Sequence, residues 1–441
     1  MSDGRPQQQV HADWIWTGGR LERGRSVGID AQGRISSVAP VSGPSTLRLP
    51  GKALIPGFVS AHSHAFQRGL RGMAERFAGT QGEFFSWRDA MYRLVAELTP
   101  DRCYELSRQC FAEMLTSGFT AVGEFHYVRH ATPVDGGDED PSLRYRFDES
   151  VLAAARDVGI RITLLHACYM RGGFGAELTG GQRRFRTTDE REYWDRFDRL
   201  ASQASGPLQR IGATAHSVRA VPIETIERLH AESVRRGVVF HMHVEEVRRE
   251  MTECAAAHGK RPMELLLDRL AIDERFTAVH CTHTTPEDLA RFAKAGGTVC
   301  LCPLTEGNLG DGFCDVQAIR AAGGAIAIGS DLNSRLSPTE ELRWLEYAQR
   351  LRHERRGVVV DAEGDCGAAL LSIGGAQGAR SIGIDAGEIA VGKLADLAIV
   401  DLHHPTMLGW TPESFASHVI FGAGTSAISG VCVGGSWRIR R

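Results

Sequence analysis

The sequence predicts an α/β fold: a (β/α)8, or TIM, barrel with a small β-sandwich domain built from both chain ends. Two observations carry this. First, eight short β-rich apolar runs alternate with longer segments of helical spacing. The runs lie near Ala53–Phe58, Phe119–His126, Ile160–His166, Ile211–His216, Val238–His243, Thr277–Cys281, Gly297–Cys302 and Ala325–Asp331. Second, both flanks hold only short strand-like runs with glycine turns, WIWTGG and GRISSVAP at one end, GEIAVGKLADLAIVDL and ISGVCVGGSWRI at the other. Neither flank is large enough for its own core, so both meet in one small domain. The expected division is 1–54 and 384–441 for the β-sandwich and 55–383 for the barrel.

The helical segments have stop signals. Arg88–Ser117 reads as one helix ended by Gly118, Pro222–Arg236 ends at Gly237, and another helix follows Pro286. The chain has 441 residues and a formal charge of −3, which gives no sign of a nucleic-acid or membrane partner. Neither a signal-peptide core nor a bilayer-length apolar run is visible, so a cytoplasmic protein is expected. The ten cysteines form no CxxC pair and read as buried thiols in a reducing compartment.

The chemistry starts in PGFVSAHSHAFQRGL, where His62 and His64 stand one residue apart. Residues i and i+2 of a strand share a face, so both imidazoles can point to the C-terminal rim of a barrel, where such enzymes keep their active sites. Two neutral imidazoles on one face suit a borderline metal such as Zn2+. Other strands also end in useful groups: FHMHVEE holds His241, His243 and Glu246, VHCTH holds His280, and IAIGSD ends at Asp331. Histidines at strands one, four, five and six with an aspartate at eight exceed what chance placement of 17 histidines delivers. The pattern points to a metal-dependent hydrolytic site.

With these residues, from the first sheet through the barrel to GEIAVGKLADLAIVDL, the chain resembles the amidohydrolase superfamily. The resemblance implies His62, His64, His243 and Asp331 as metal ligands. His241 shares a face with His243; the family spacing HxxE, ending at Glu246, selects His243. It also implies Glu246, His280 and Asp331 as catalytic residues. Many members bridge two metals with a carboxylated lysine on strand four. Here no lysine lies between Lys52 and Lys260, so one divalent metal is expected, Zn2+ by resemblance.

HSHAFQRGL and CPLTEGNLGDG, supported by GSDLNSRLSP, resemble more closely the branch of deiminases acting on N-formimidoyl-L-glutamate. That implies hydrolysis to N-formyl-L-glutamate and ammonia, a step of histidine breakdown. The implied substrate-binding residues are Gln67, Arg88, Tyr127, His216 and Arg219. Arginine forks suit the two carboxylates. The alternatives are an aminohydrolase of a purine or other heterocycle, a ring-opening hydrolase, and a non-catalytic relative binding through its surface. The family also implies a homodimer. The segment 171–186, RGGFGAELTGGQRRFR, reads as a mobile rim loop over the site.

Overall fold

The computed structural model describes residues 7–73, 75, 84–131, 145–204 and 206–441, with backbone only for 84–86. The first six residues of the expected N-terminal part lie outside the described residues. Eight parallel strands form the barrel: β1 (Phe58–Ser63), β2 (Phe119–His126), β3 (Arg161–Cys168), β4 (Gln209–Ala215), β5 (Phe240–Val244), β6 (Phe276–His280), β7 (Thr298–Leu301) and β8 (Ala325–Ile328). Each pairs with its neighbours in sequence, and a parallel bridge between Ser63 and Asp331 joins the first strand to the last.

Five strands from the N-terminal flank and three from the C-terminal flank make a second, mixed sheet. Its seam is Leu47–Pro56, which runs parallel to Gln8–Thr17 and antiparallel to Leu397–Asp401. Val10, Ile15, Val27, Leu54, Leu397 and Ile399 form its own buried cluster. The two chain ends thus share one apolar core that neither builds alone.

Two sequence expectations are corrected. The run near Ala53–Phe58 is not the first barrel strand: Leu47–Pro56 belongs to the flanking sheet and β1 starts at Phe58. The chain changes sheet at Gly57, whose N–H donates to the Asp396 carbonyl and where a Cβ would stand 2.2 Å from Thr120. ALIPGFVSA is apolar on both sides of that glycine, so periodicity could not locate the switch. The long helix of Arg88–Ser117 is two helices, Phe84–Glu97 and Pro100–Ser117. Thr99 caps the second by accepting from the Arg102 N–H, with Pro100 at its first turn. The helix Ile223–Arg236 ends at Gly237 in the left-handed region, as its sequence predicts.

The barrel interior is filled from its N-terminal end. Ala379, Ile382, Ile384 and Ala386 pack against Val59, Ala61, Ala121, Val279, Cys300 and Ala327. That plug leaves the C-terminal mouth to polar groups. All ten cysteines are free thiols and only Cys366 is not buried. Among the described residues, no helix is long and apolar enough to cross a membrane.

Candidate active site

His62, at the end of β1, and His64, just beyond it, meet His243 of β5 and Asp331 beyond β8. Nε2 of His62 lies 3.1 Å from Nε2 of His243, and Nε2 of both His62 and His64 lies 3.4 Å from Asp331 Oδ1. A tetrahedral ion with bonds near 2.1 Å holds its donors about 3.4 Å apart, so these four atoms fit one divalent cation.

The protons agree. His64 Nδ1 donates to the Phe125 carbonyl at 2.7 Å, and His243 Nδ1 donates to the His216 carbonyl at 3.0 Å. Each ring is left with a lone pair on the Nε2 that faces the cluster. Burial, helped by neighbouring imidazoles, depresses all three histidines, His62 to about 3, so they are neutral at neutral pH and able to act as donors. Burial alone would raise Asp331, but the hydrogen bond from His62 and the surrounding imidazoles hold it well below the usual carboxylate range.

His241 is not a ligand in this arrangement. It sits one layer deeper, with Nε2 2.8 Å from the Ser381 carbonyl of the plug. Of the two glutamates after β5, Glu245 turns away and accepts from the Met263 N–H and Arg261. Glu246 turns inward.

His280 completes the acid–base group. Its Nδ1 faces Glu306 Oε1 at 3.4 Å. Its Nε2 is suspended between Glu246 Oε1 at 3.7 Å and Asp331 Oδ2 at 3.9 Å, without a hydrogen-bond partner. Burial lowers His280, yet the carboxylates of Glu246, Glu306 and Asp331 outweigh it and raise the ring to about 10. Burial raises Glu246 against the pull of His280. A divalent cation bound beside them would be the larger local charge and would favour the unprotonated form of both. His280 and Asp331 have φ of 74° and 42°, a left-handed backbone that ordinary residues rarely adopt. Such strain concentrates where side-chain direction matters more than backbone comfort.

One pocket opens over these groups. Gln67, Arg88, Tyr127, His216 and Arg219 all line it, together with His64, His243, Glu246 and Asp331. Gln67 donates from Nε2 to the Tyr127 hydroxyl at 2.8 Å, while its buried Oε1 has no partner among the described residues. The wall also includes Trp87, Met91, Tyr92, Tyr169, Gln182 and Phe185, which sequence reasoning did not single out. Gln182 and Phe185 come from the segment read as a mobile rim. That segment is anchored: the buried Arg184 guanidinium donates to the carbonyls of His130, Val95 and Leu98. Its arginine richness suggested solvent, and only the fold shows one arginine turned inward. β4, Gln209–Ala215, contains no lysine, and His216 follows it.

The geometry matches known proteins. Residues 53–438 match the amidohydrolase family. The chain is 36% identical over 416 residues to formimidoylglutamate deiminase of Pseudomonas aeruginosa, covering 93% of this chain and 90% of that protein. It is 28% identical to 5-methylthioadenosine/S-adenosylhomocysteine deaminase of Natronomonas pharaonis, covering 89% and 83%. Among solved structures, an amidohydrolase of Brucella melitensis superposes with a TM-score of 0.89 at 32% identity, covering 98% of this chain and 95% of that one. An adenosine deaminase of Xanthomonas campestris with bound zinc shares the fold, with a TM-score of 0.79 at 23% identity and coverage of 98% and 92%. The barrel with its flanking sheet, the converging donors and these similarities agree: this chain belongs to the amidohydrolase family.

Proposed function

We propose that the chain hydrolyses N-formimidoyl-L-glutamate to N-formyl-L-glutamate and ammonia, using one divalent metal, Zn2+, held by His62, His64, His243 and Asp331. The observation that carries this is the suspended His280 Nε2, between Glu246 and Asp331, behind a pocket that Glu246 and Asp331 line together with Arg88 and Arg219. Three imidazole nitrogens and a carboxylate oxygen suit zinc. A cation there supplies Lewis acidity that makes water nucleophilic near neutral pH.

The chain's own groups do the rest. Asp331 divides its oxygens: Oδ1 faces the ligand cluster, and Oδ2 faces His280 and takes the proton of the attacking water. His280 directs Nε2 at the oxygen that adds to the amidine carbon. Glu246 gives a proton to the substrate nitrogen as the oxygen adds, then takes the proton of the added hydroxyl and delivers it to the same nitrogen, so that the C=O forms as the C–N bond breaks and ammonia leaves. The water proton held by Asp331 restores Glu246. The orphaned Gln67 Oε1 accepts an amidine N–H. Tyr127 and His216 shape the amidine end, and Arg88 and Arg219 take the two carboxylates.

The 36% identity to formimidoylglutamate deiminase supports this substrate over a heterocycle. The free thiols support a reducing, cytoplasmic setting within histidine breakdown. Family membership supports a homodimer, which sedimentation velocity tests; a monomer-sized species overturns it.

The decisive assay offers metal-replete protein N-formimidoyl-L-glutamate beside guanine, adenosine and cytosine and measures ammonia. Release from the amidine alone is expected; release only from a heterocycle overturns the substrate. Glu246→Gln is expected to retain one metal per chain and to lose about 10²- to 10⁴-fold in kcat.

A further inference from the structure

Two glutamine–tyrosine pairs face the pocket, and they are wired differently. In the first, Gln67 donates to Tyr127, whose ring packs 5.1 Å from His64 at the metal end. The second is Gln182 and Tyr169. Tyr169 follows β3, is 5% exposed, and packs edge-on to His216 at 4.7 Å and to Phe185 at 5.3 Å. His216 in turn packs 4.8 Å from His243, so Tyr169 stands one ring further from the metal ligands. Its backbone is held on both sides by Thr187, which donates its N–H to the Tyr169 carbonyl at 2.7 Å and accepts the Tyr169 N–H on Oγ1 at 3.0 Å.

The orientation of Gln182 is overdetermined. Its Oε1 accepts from Thr179 N at 3.1 Å and Thr179 Oγ1 at 3.2 Å. Its Nε2 donates to the Gly172 carbonyl at 3.3 Å and to the Tyr169 hydroxyl at 3.4 Å. Exchanging the amide oxygen and nitrogen would set N–H against N–H at Thr179 and oxygen against carbonyl at Gly172. Because Nε2 donates to it, the Tyr169 hydroxyl accepts on that side, and its own proton is free for the pocket. Burial raises the phenol, so it stays protonated and a donor throughout the working pH range. Arg219 and Arg88 line the same pocket, and both act electrostatically on this phenol.

Building on the substrate reading above, we propose that Tyr169 determines specificity, its hydroxyl donating to one substrate carboxylate beside Arg219. Gln182 is its positioning residue. It holds the phenol as a donor and ties the 171–186 segment to the wall that reads the acidic end of the substrate. A neutral heterocycle offers no anion for that hydrogen bond.

The test is steady-state kinetics of Tyr169→Phe with N-formimidoyl-L-glutamate and two single-carboxylate analogues. These are N-formimidoyl-L-norvaline, keeping the α-carboxylate, and 4-(formimidoylamino)butanoate, keeping the distal one. Tyr169→Phe keeps the ring, and its KM for the dicarboxylate is expected to rise about 10- to 100-fold with kcat within about twofold. The same penalty is expected for one analogue and none for the other, which identifies the carboxylate. An unchanged KM, or an equal penalty on both analogues, overturns the assignment. Gln182→Glu provides the second variant, because a carboxylate takes the phenol proton for itself. Its KM is expected to rise alone and to add less than about twofold in the Tyr169→Phe background; full additivity overturns the positioning role. Wild-type protein inert toward N-formimidoyl-L-glutamate would instead overturn the deiminase reading itself, and this inference with it.

Discussion

Two clusters of buried histidines stand at the ends of barrel strands in this molecule, and only one is built to react. At the mouth, His62, His64 and His243 turn their Nε2 atoms toward one another and toward Asp331. Beside β2 and β3, His126 and His166 are equally buried among Arg129, Asp148, Glu192 and Arg196. There His166 Nε2 accepts from the Arg129 guanidinium at 2.7 Å, which leaves its other nitrogen facing Asp148. Arg196 joins Asp148 to Glu192. This second cluster binds its own charges internally and lines no part of the substrate pocket. Both clusters bring buried histidines together near strand ends; what sets His166 apart is that its Nε2 lone pair is already committed to Arg129.

The largest test of that difference is a pair of substitutions. His243→Ala is expected to lose the metal and more than about 10³-fold in activity, because three donors no longer close the site. His166→Ala is expected to keep one metal per chain and cost about 1–3 kcal/mol in denaturant unfolding, the penalty of leaving one buried Arg129 N–H without its acceptor. Elemental analysis beside unfolding curves reads both; equal metal loss would erase the distinction.

Acid titration sharpens it next. Burial, reinforced by Arg129 at His166, depresses both His126 and His166 to about 4 in the folded chain, against 6.5 as the ordinary value. Between those values the unfolded chain binds more protons, so stability is full above pH 6.5 and declines as pH falls toward 4. Each histidine accounts for about 3 kcal/mol of that decline. His166→Gln removes one contribution, so its unfolding free energy should fall less steeply over this window. A slope equal to wild type would mean that His166 does not titrate as its surroundings dictate.

A smaller effect concerns the pocket. Arg219→Met is expected to lower kcat/KM about 10- to 100-fold, mostly through KM, as one charge-assisted hydrogen bond to substrate is lost. Arg191→Ala, an exposed arginine paired loosely with Asp195 at 3.8 Å, should leave kcat/KM within about twofold of wild type. Similar losses for the two would deny Arg219 its place among the 47 arginines.

Much of the site was legible in the chain because strand alternation is a local rule. An HxH ending an apolar run, an HxxE and a terminal aspartate identify side chains at one rim whatever the surrounding fold. The pocket candidates Gln67, His216 and Arg219 came from the family resemblance, and their places just after strands favoured a pocket role. Other features were hidden. The sheet switch at Gly57 lies inside one apolar run. Tyr169 looked like any aromatic, and Gln182 like part of a polar loop. Their roles arise from partners far along the chain: Arg184 reaching Val95 and Leu98, Phe185 against Tyr127, and Gln182 holding Tyr169.

By itself, then, the sequence determined the barrel and the joined ends, because period-two and helical patterns are written residue by residue, while the four donors were what the family resemblance implied. Only the tertiary structure decided which way each histidine turns its nitrogens. His243 leads into the mouth while His241 is tied to Ser381, and His166 gives its lone pair to Arg129. A lone pair is free or spent according to its neighbours in space, and those neighbours come from other strands and loops.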